Sequence, residues 1–304
     1  MTFGCVVLTR GDRPDVLAAA LASLQRQRDV EVDIVVVGNG WEPTGLPPGV
    51  RAHHEPVDRG IPAGRNAGVP HVSGDLLFFL DDDATLVEDD ALSYLSTWYL
   101  GTGPGTSVRG QVPRYGARSV GVGLVQLRVE PTTGSAYSRD WVPRLRVGDR
   151  TRPSDVTVVW EGAVAMPRAV FDEVGGWPEE FRFVHEGVDL AWRVMDAGYR
   201  VRYAAERSVT HPPRGPAAER HGYSVKYAAR NRVFVARRNL PLPLGVLYVA
   251  SFALRTLPGL KTAELRRAAR EGYSAGRSEP CGRRRRLRLA TLWRMTRLGR
   301  PPIL

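Results

Sequence analysis

Residues 73–83 read Ser73-Gly74-Asp75-Leu76-Leu77-Phe78-Phe79-Leu80-Asp81-Asp82-Asp83, and this stretch is the most informative part of the chain. Five consecutive apolar residues, from Leu76 to Leu80, are typical of a strand buried on both faces, as in a parallel sheet. Three carboxylates follow that strand directly. Because open parallel sheets bind their ligands beyond the carboxyl ends of the strands, Asp81, Asp82 and Asp83 lie where a functional site is expected.

The residues around this stretch predict an α/β fold. Two apolar runs, Phe3–Leu8 and Val32–Val37, flank a segment from Asp15 to Gln27 whose apolar residues keep helical spacing, and this β–α–β order indicates a mostly parallel, doubly wound sheet flanked by helices. Residues 101–155 are rich in Gly, Pro and Arg and predict no clear element. The other predicted elements are strands at Val50–His53 and Thr157–Ala165, and helices at Pro62–His71, Pro167–Val174, Glu186–Ala197 and Tyr223–Asn239.

Composition excludes several classes of protein. With 43% apolar residues among 304, the chain is neither disordered nor collagen-like. Its two cysteines, Cys5 and Cys281, lie too far apart for a disulfide framework and predict a reducing compartment. The first residues do not resemble a secretory signal, so we expect a cytoplasmic protein.

Positive charge is concentrated at the end of the chain. Residues 1–219 carry 23 Lys and Arg against 29 Asp and Glu, whereas residues 220–304 carry 20 against 3. We therefore predict two domains, an α/β domain over residues 1–215 and a helical, Arg-rich extension over residues 216–304.

The extension predicts contact with an anionic membrane surface. An uncharged run, Asn239–Leu254, precedes a basic segment that contains Arg283–Arg286 and Trp293. That run of about 16 residues is shorter than the roughly 20 apolar residues needed to span a bilayer, so we expect peripheral attachment at the cytoplasmic face. The alternative is a solvated tail; a nucleic-acid partner is not expected, because the chain has no recognisable nucleic-acid-binding motif.

The three adjacent carboxylates predict a bound cation. Asp81, Asp82 and Asp83 repel one another unless a positive charge neutralises them. Mg²⁺ and Mn²⁺ prefer oxygen ligands and leave positions open for substrate phosphates. The alternative is a solvated acidic turn.

Several ordered motifs together resemble the family 2 glycosyltransferases. Their "GxxxARNxG … GDxxxFLDxD" core on a GT-A fold is similar to residues 60–68 and 74–83, and their "EDxDLxWR" helix is similar to His185–Arg193. Further similarities lie at Val6–Arg10 and in Gly175-Gly176-Trp177. The resemblance covers roughly residues 3–215 and implies a GT-A-like fold.

The resemblance also implies roles for single residues. Asp81 and Asp83 match the family's carboxylates for the nucleotide and the metal, and His211 matches a metal or phosphate contact. The acceptor is expected near Trp160 and Glu161. The nucleotide sugar is expected near Thr9, Arg13, Asn39, Arg65, Asn66, Asp81 and Asp82.

Two positions depart from the family pattern. Asn39 stands where an acidic residue usually holds the nucleotide base, and Gly187 stands where the acidic pair has its aspartate. Glycine offers no carboxylate, so Glu186 is the predicted general base, with Asp189 as the second candidate. Because these two residues are three apart on a predicted helix, we expect both to face the same cleft.

These features predict an inverting, metal-dependent glycosyltransferase that uses a nucleoside-diphosphate sugar. The acceptor hydroxyl would belong to a lipid-linked molecule or a cell-envelope glycan, a suggestion that rests on the basic extension alone. A nucleotidyltransferase and a non-catalytic nucleotide-sugar-binding protein are the alternatives.

Overall fold

The computed structural model describes residues 1–100, 121–132, 134–135, 137–213 and 222–303. The boundary predicted between residues 215 and 216, and residues 101–120 of the stretch without assigned elements, lie outside the described residues.

Within the described residues, a mixed sheet of nine strands forms the centre of the molecule, in the order β3-β2-β1-β4-β8-β6-β9-β5, with β7 paired to β9. The pairings of β1 with β2 and β4, of β2 with β3, and of β6 with β9 are parallel, and the others are antiparallel. The strands are β1 Thr2–Thr9, β2 Glu31–Asn39, β3 Val50–Glu55, β4 Leu76–Asp81, β5 Thr85–Leu86, β6 Val122–Pro131, β7 Ser154–Asp155, β8 Ala163–Pro167 and β9 Arg200–His211.

Helices cover both faces of this sheet. They are α1 Pro14–Gln25, α2 Ile61–Gly68, α3 Ala91–Leu100, α4 Arg168–Val174, α5 Glu186–Asp196, α6 Gly222–Asn239, α7 Leu242–Thr256, α8 Ala263–Ser278 and α9 Leu289–Arg297. Short 3₁₀ turns lie at Val69–His71, Arg139–Trp141, Glu179–Phe181 and Leu257–Gly259. The predicted α/β class, with a sheet flanked by helices and a helical C-terminal part, is confirmed.

The predicted strand Thr157–Ala165 is wrong over residues 157–162. Strand β8 begins only at Ala163; before it, the backbone N–H of Trp160 donates to the side chain of Gln126 on β6 (2.7 Å) instead of to the backbone of a strand. Residues 160–162 line the cleft described below. The strand β6, by contrast, lies in a stretch for which we predicted no element.

The hydrophobic core continues into the C-terminal helices. Phe234, Tyr248 and Met295 belong to the same buried cluster as Trp192 of α5 and Phe79 of β4. Removing the extension would therefore expose core surface of the sheet domain. The division into two domains stays a prediction, and the extension is in any case packed rather than a solvated tail.

Helix α7 presents an apolar face to solvent. Among the described residues, Leu242–Gly259 is the one stretch long and apolar enough to cross a membrane, with a mean hydropathy of 1.2. Only 11% of that window is buried, so it is not a core helix. Its exposed large side chains are Leu242, Val246, Leu247, Leu254 and Leu257.

Candidate active site

A cleft of about 610 Å³ opens where β1, β2 and β4 end. Thr9, Asn39 and Asp81 are the last residues of these strands, and all three line the cleft. The opposite wall contains the loop before β8, the first residue of α5 and the end of β9. The cleft therefore lies where an open parallel sheet is expected to bind its ligand.

Asp81, Asp83 and His211 meet at the floor of this cleft. One oxygen of each carboxylate accepts from an arginine: Asp81 Oδ1 from Arg65 (2.6 Å) and Asp83 Oδ2 from Arg13 (2.5 Å). The other oxygens face His211, whose Nε2 lies 3.0 Å from Asp83 Oδ1 and 4.0 Å from Asp81 Oδ2. One ligand atom from each of the three residues lies within 4.8 Å of the other two.

This donor set fits a hard divalent cation. Two carboxylate oxygens and an imidazole nitrogen are ligands that Mn²⁺ accepts, and Mg²⁺ accepts the carboxylates. The two arginines fix the carboxylates so that their remaining oxygens converge. Asp81, Asp83 and His211 are thus brought together as the sequence led us to expect, whereas the cation itself remains a proposal.

The absence of a side chain at Gly162 leaves room for the Asp81 carboxylate. A Cβ added there would lie 2.5 Å from Asp81 Oδ2 and 2.1 Å from the Trp160 ring, so no larger residue fits without displacing one of them. The carbonyl of Gly162 also accepts from the backbone N–H of Asp81 (2.9 Å).

Asp82 is turned away from the cation cluster and toward strand β1. The Thr9 hydroxyl donates to Asp82 Oδ2 (2.6 Å), and Arg13 donates to Oδ1 (2.7 Å). Burial raises the pKa of Asp82 to about 6, although Thr9 and Arg13 act in the opposite direction. Burial would also raise the pKa of Asp83, but His211 and Arg13 together outweigh it and hold that pKa below its ordinary value.

Arg65 lies in the cleft, but its neighbour Asn66 does not. Arg65 is 2% exposed, and its guanidinium lies 4.9 Å from the centre of the Trp177 ring. Asn66 instead bonds both backbone polar groups of Trp177 and also donates to Glu179. The structure therefore does not bring Asn66 to the nucleotide sugar; its amide holds the loop after α4.

Asn39 lines the cleft, but its amide is used to position a loop. Its Nδ2 donates to Asp58 Oδ1 (2.8 Å), and its Oδ1 accepts from the backbone N–H of Arg59 (2.9 Å). Asp58 also lines the cleft and was not among the predicted site residues. Its carboxylate lies beside the end of β2, where Asn39 stands in place of the acidic residue expected from the family pattern. The position of Asp58 just before the Gly60–Gly68 motif is the one sequence feature that could have indicated it.

Glu186 begins helix α5 and points into the cleft. The residue is 3% exposed, and its Oε2 has no hydrogen-bond partner among the residues that the structure describes. Burial, assisted by the negative charge of Glu161, raises the pKa of Glu186 well above its ordinary value. Such a carboxylate binds a proton readily near neutral pH, a property suited to general acid–base work.

Asp189 does not reach the cleft, which corrects our expectation that it and Glu186 would face it together. Its fully buried carboxylate accepts from Arg193 (2.7 Å), Arg238 (2.9 Å) and Asn239 (2.7 Å). Burial would raise the pKa of Asp189, but the two guanidinium charges hold it below its ordinary value. The role that these contacts give Asp189 is to join helix α5 to the end of α6.

Asp189→Asn is expected to destabilise the protein by about 3 kcal/mol, because it removes the counter-charge of the buried Arg193 and leaves Arg238 with only the half-exposed Glu180 at 3.4 Å. Urea unfolding measures the loss, with Asp172→Asn on the exposed face of α4 as the matched control. An unchanged unfolding midpoint combined with lost turnover would instead return Asp189 to the list of catalytic candidates.

Trp160 and Glu161 line the cleft between the cation cluster and α5. The Trp160 ring packs edge-on against His211, with 4.9 Å between the ring centres. Glu161 Oε1 accepts from the backbone N–H of Gly187 (2.8 Å). Both residues therefore lie beside Glu186, and their predicted contact with an acceptor remains a prediction.

Comparison with known proteins shows which family the chain resembles. The profile of glycosyl transferase family 2 matches residues 5–175. Pre-mycofactocin glycosyltransferase of Mycobacterium tuberculosis (strain CDC 1551 / Oshkosh) is 30% identical over 167 residues, which cover 53% of this chain and 32% of the relative. The chain thus spans about a third of the length of the curated relatives it matches.

Two solved structures share the fold at low sequence identity. GalNAc-T7 with UDP, GalNAc and Mn²⁺ superimposes with a TM-score of 0.56 at 15% identity, covering 92% of this chain and 56% of that one. The mannosyltransferase PcManGT from Pyrobaculum calidifontis, in complex with GDP-Man and Mn²⁺, superimposes with a TM-score of 0.53 at 18% identity, covering 91% and 76%. These likenesses confirm the predicted GT-A fold.

Proposed function

The chain belongs to glycosyl transferase family 2, and from that premise we propose that it transfers a sugar, with inversion, from a nucleoside-diphosphate sugar to an acceptor hydroxyl. The observation that carries the proposal is the convergence of Asp81 Oδ2, Asp83 Oδ1 and His211 Nε2 at the floor of the cleft. The UDP and GDP-Man named for GalNAc-T7 and PcManGT support a nucleotide-sugar donor.

The proposed reaction is a single displacement. The acceptor oxygen bonds to the anomeric carbon while the bond from that carbon to the diphosphate oxygen breaks, and the diphosphate leaves with the bonding electrons. The acceptor hydroxyl proton passes to the carboxylate of Glu186. Attack from the face opposite the leaving group inverts the configuration of the anomeric carbon.

In the proposed reaction, one set of cleft residues would bind the nucleoside diphosphate, and Glu186 would act on the acceptor. Arg13 and Arg65, already fixed on the carboxylates, bring positive charge to the diphosphate side. Asp81, Asp83 and His211 would hold Mg²⁺ or Mn²⁺, which supplies Lewis-acid neutralisation of the leaving group when bound. Asp58, in the loop between β3 and α2 and hydrogen-bonded to Asn39 at the end of β2, is the candidate contact for the nucleoside.

Glu186 is the proposed general base because it lines the cleft and its buried Oε2 has no hydrogen-bond partner in the described part of the chain. A carboxylate oxygen without a protein partner is available to accept from an acceptor hydroxyl.

A panel of nucleotide sugars with Mn²⁺ tests the proposed function. Release of nucleoside diphosphate, with an acceptor of inverted anomeric configuration by NMR, supports it. Pyrophosphate released from a nucleoside triphosphate would instead indicate a nucleotidyltransferase, and binding without turnover would indicate a non-catalytic protein.

We further propose a membrane-bound acceptor and attachment at the cytoplasmic face. The exposed side of α7 is apolar, Trp293 of α9 is 67% exposed, and Arg283–Arg286 are exposed beside α9. Phe252 of α7 packs against His185, with 5.6 Å between the ring centres, and His185 immediately precedes Glu186. A lipid surface on α7 would therefore lie near the proposed base, where a lipid-linked hydroxyl is needed.

Leu247→Asp/Leu254→Asp is expected to abolish co-flotation with vesicles containing anionic lipid, because each charge opposes burial of α7 in the interface. Val87→Asp, at an exposed valine next to β5, is the matched control and keeps flotation. If the unaltered protein stays in the soluble fraction with such vesicles at low salt, the membrane proposal is wrong.

A further inference from the structure

The side chain of Glu161 occupies the space that a side chain at position 187 would need. A Cβ added at this position would lie 2.5 Å from Glu161 Oε1 and 2.6 Å from Glu161 Cγ. These distances are shorter than real Cβ contacts, so a side chain at position 187 and Glu161 in its present position exclude each other. The space of the missing residue is filled by the carboxylate of Glu161.

The backbone of α5 fixes this carboxylate in place. The N–H of Gly187 belongs to the first turn of the helix, where backbone donors have no partner within the helix. It donates to Glu161 Oε1 at 2.8 Å. The positive end of the helix dipole favours a negative group at this point. Glu161 is thus held at the start of the helix from outside, on the loop before β8.

Glu161 and Glu186 form a pair in the same cleft. Both residues line it, and the charge of Glu161 is one cause of the raised pKa of Glu186. A negative charge nearby disfavours the ionised form of a carboxyl group, so Glu161 makes it easier for Glu186 to take up a proton.

We propose that Glu161 is the second carboxylate of the catalytic site, occupying in space the position that Gly187 leaves without a side chain. The inference rests on the proposed function. The acceptor hydroxyl proton passes to the Glu161–Glu186 pair as the acceptor oxygen bonds to the anomeric carbon. The pair then holds one more proton, which returns to solvent when the product has left.

A structural role for Glu161 makes a different prediction. If Glu161 only caps α5, Glu161→Gln keeps its function, because the amide oxygen still accepts from the Gly187 N–H. If Glu161 takes part in proton uptake, the same variant loses turnover although the hydrogen bond is retained. The conservative variant therefore separates the two roles.

The experiment compares kcat and donor affinity for Glu161→Gln, Glu161→Ala, Gly187→Asp and the double variant Glu161→Ala/Gly187→Asp. We expect each Glu161 single variant to lower kcat by about 10²-fold, the range of general base catalysis, with donor affinity little changed. The double variant is expected to regain at least about tenfold over Glu161→Ala, because it returns a carboxylate to the vacated space. Glu173→Gln, exposed on α4, is the control.

If kcat is unchanged in Glu161→Gln, the inference is wrong. Sugar transfer by the unaltered protein would still support the proposed function, so the two can fail separately.

Thermal unfolding provides a readout that needs no activity. Gly187→Ala is expected to lower the Tm through its collision with Glu161, and Glu161→Ala/Gly187→Ala to restore it. If the double variant shows no such restoration, Glu161 does not occupy the required space and the inference is wrong.

Discussion

Asp83→Asn is expected to lower sugar transfer by about 10³-fold or more. The change keeps the size of the side chain but removes the negative charge of the carboxylate, whose two oxygens contact Arg13 and His211. Loss of a cation ligand removes several kcal/mol of stabilisation from the charge that develops on the diphosphate, and each 1.36 kcal/mol is a factor of about ten. Nucleoside diphosphate release in Mn²⁺ measures the rate.

The matched control for this variant is Asp89→Asn. Asp89 also pairs with arginines, Arg26 and Arg28, but lies outside the cleft. Isothermal titration of both variants with Mn²⁺ should show weakened binding for Asp83→Asn alone. Turnover that survives in Asp83→Asn would contradict the assignment of the cation site.

Glu186→Gln is expected to lower kcat by about 10²- to 10⁴-fold while the donor binds as before, because the amide cannot take up the acceptor's proton. The substitution keeps the shape of the side chain at the start of α5. Single-turnover kinetics with saturating donor separates the chemical step from binding.

The rate should also depend on pH in a direction fixed by Glu186. Its pKa is raised, chiefly by burial, and the base acts only when ionised. The kcat should therefore keep rising with pH beyond the range in which an ordinary glutamate is fully ionised, and this rise should disappear in Glu186→Gln. Glu173→Gln should keep the rise, and the same profile in Glu186→Gln would show that another group is the base.

The strand β4 and the two aspartates of the cation cluster were predictable because their signals are local, whereas His211 was expected only from the resemblance to the family. A run of five apolar residues predicted β4, and the position of Asp81 and Asp83 at its end follows from how parallel sheets bind ligands. Thr9 reaches the same cleft because β1 is the parallel neighbour of β4 and ends beside it. Knowing the strand order was enough to bring these residues together.

The errors concern contacts between elements far apart in the sequence. Asp189 was expected in the cleft because helical spacing places it on the same face of α5 as Glu186. Spacing cannot show that its partner is Arg238, which lies on α6, 49 residues away. Spacing likewise could not show that the amide of Asn66 bonds Trp177. No pattern in the sequence predicts that Gly187 makes room for Glu161, which requires the arrangement of α5 and the loop before β8.

The number of basic residues in the C-terminal part does not give the charge of its surface. Arg230 and Arg238 count toward its basic character, yet both are buried, the first against the carbonyls of Glu180 and Phe181 and the second against Asp189. Only the exposed arginines, such as Arg283–Arg286, contribute to a surface. A count of residues cannot separate these two groups, because buried ion pairs form only after folding.

The most direct test of cation-dependent sugar transfer is nucleoside diphosphate release by the unaltered protein, measured over a panel of nucleotide sugars with a membrane lipid extract as acceptor source. We predict release from at least one donor in Mn²⁺ or Mg²⁺, loss of that release in excess chelator and its return when the metal is restored. Release that is unchanged by the chelator would contradict the account.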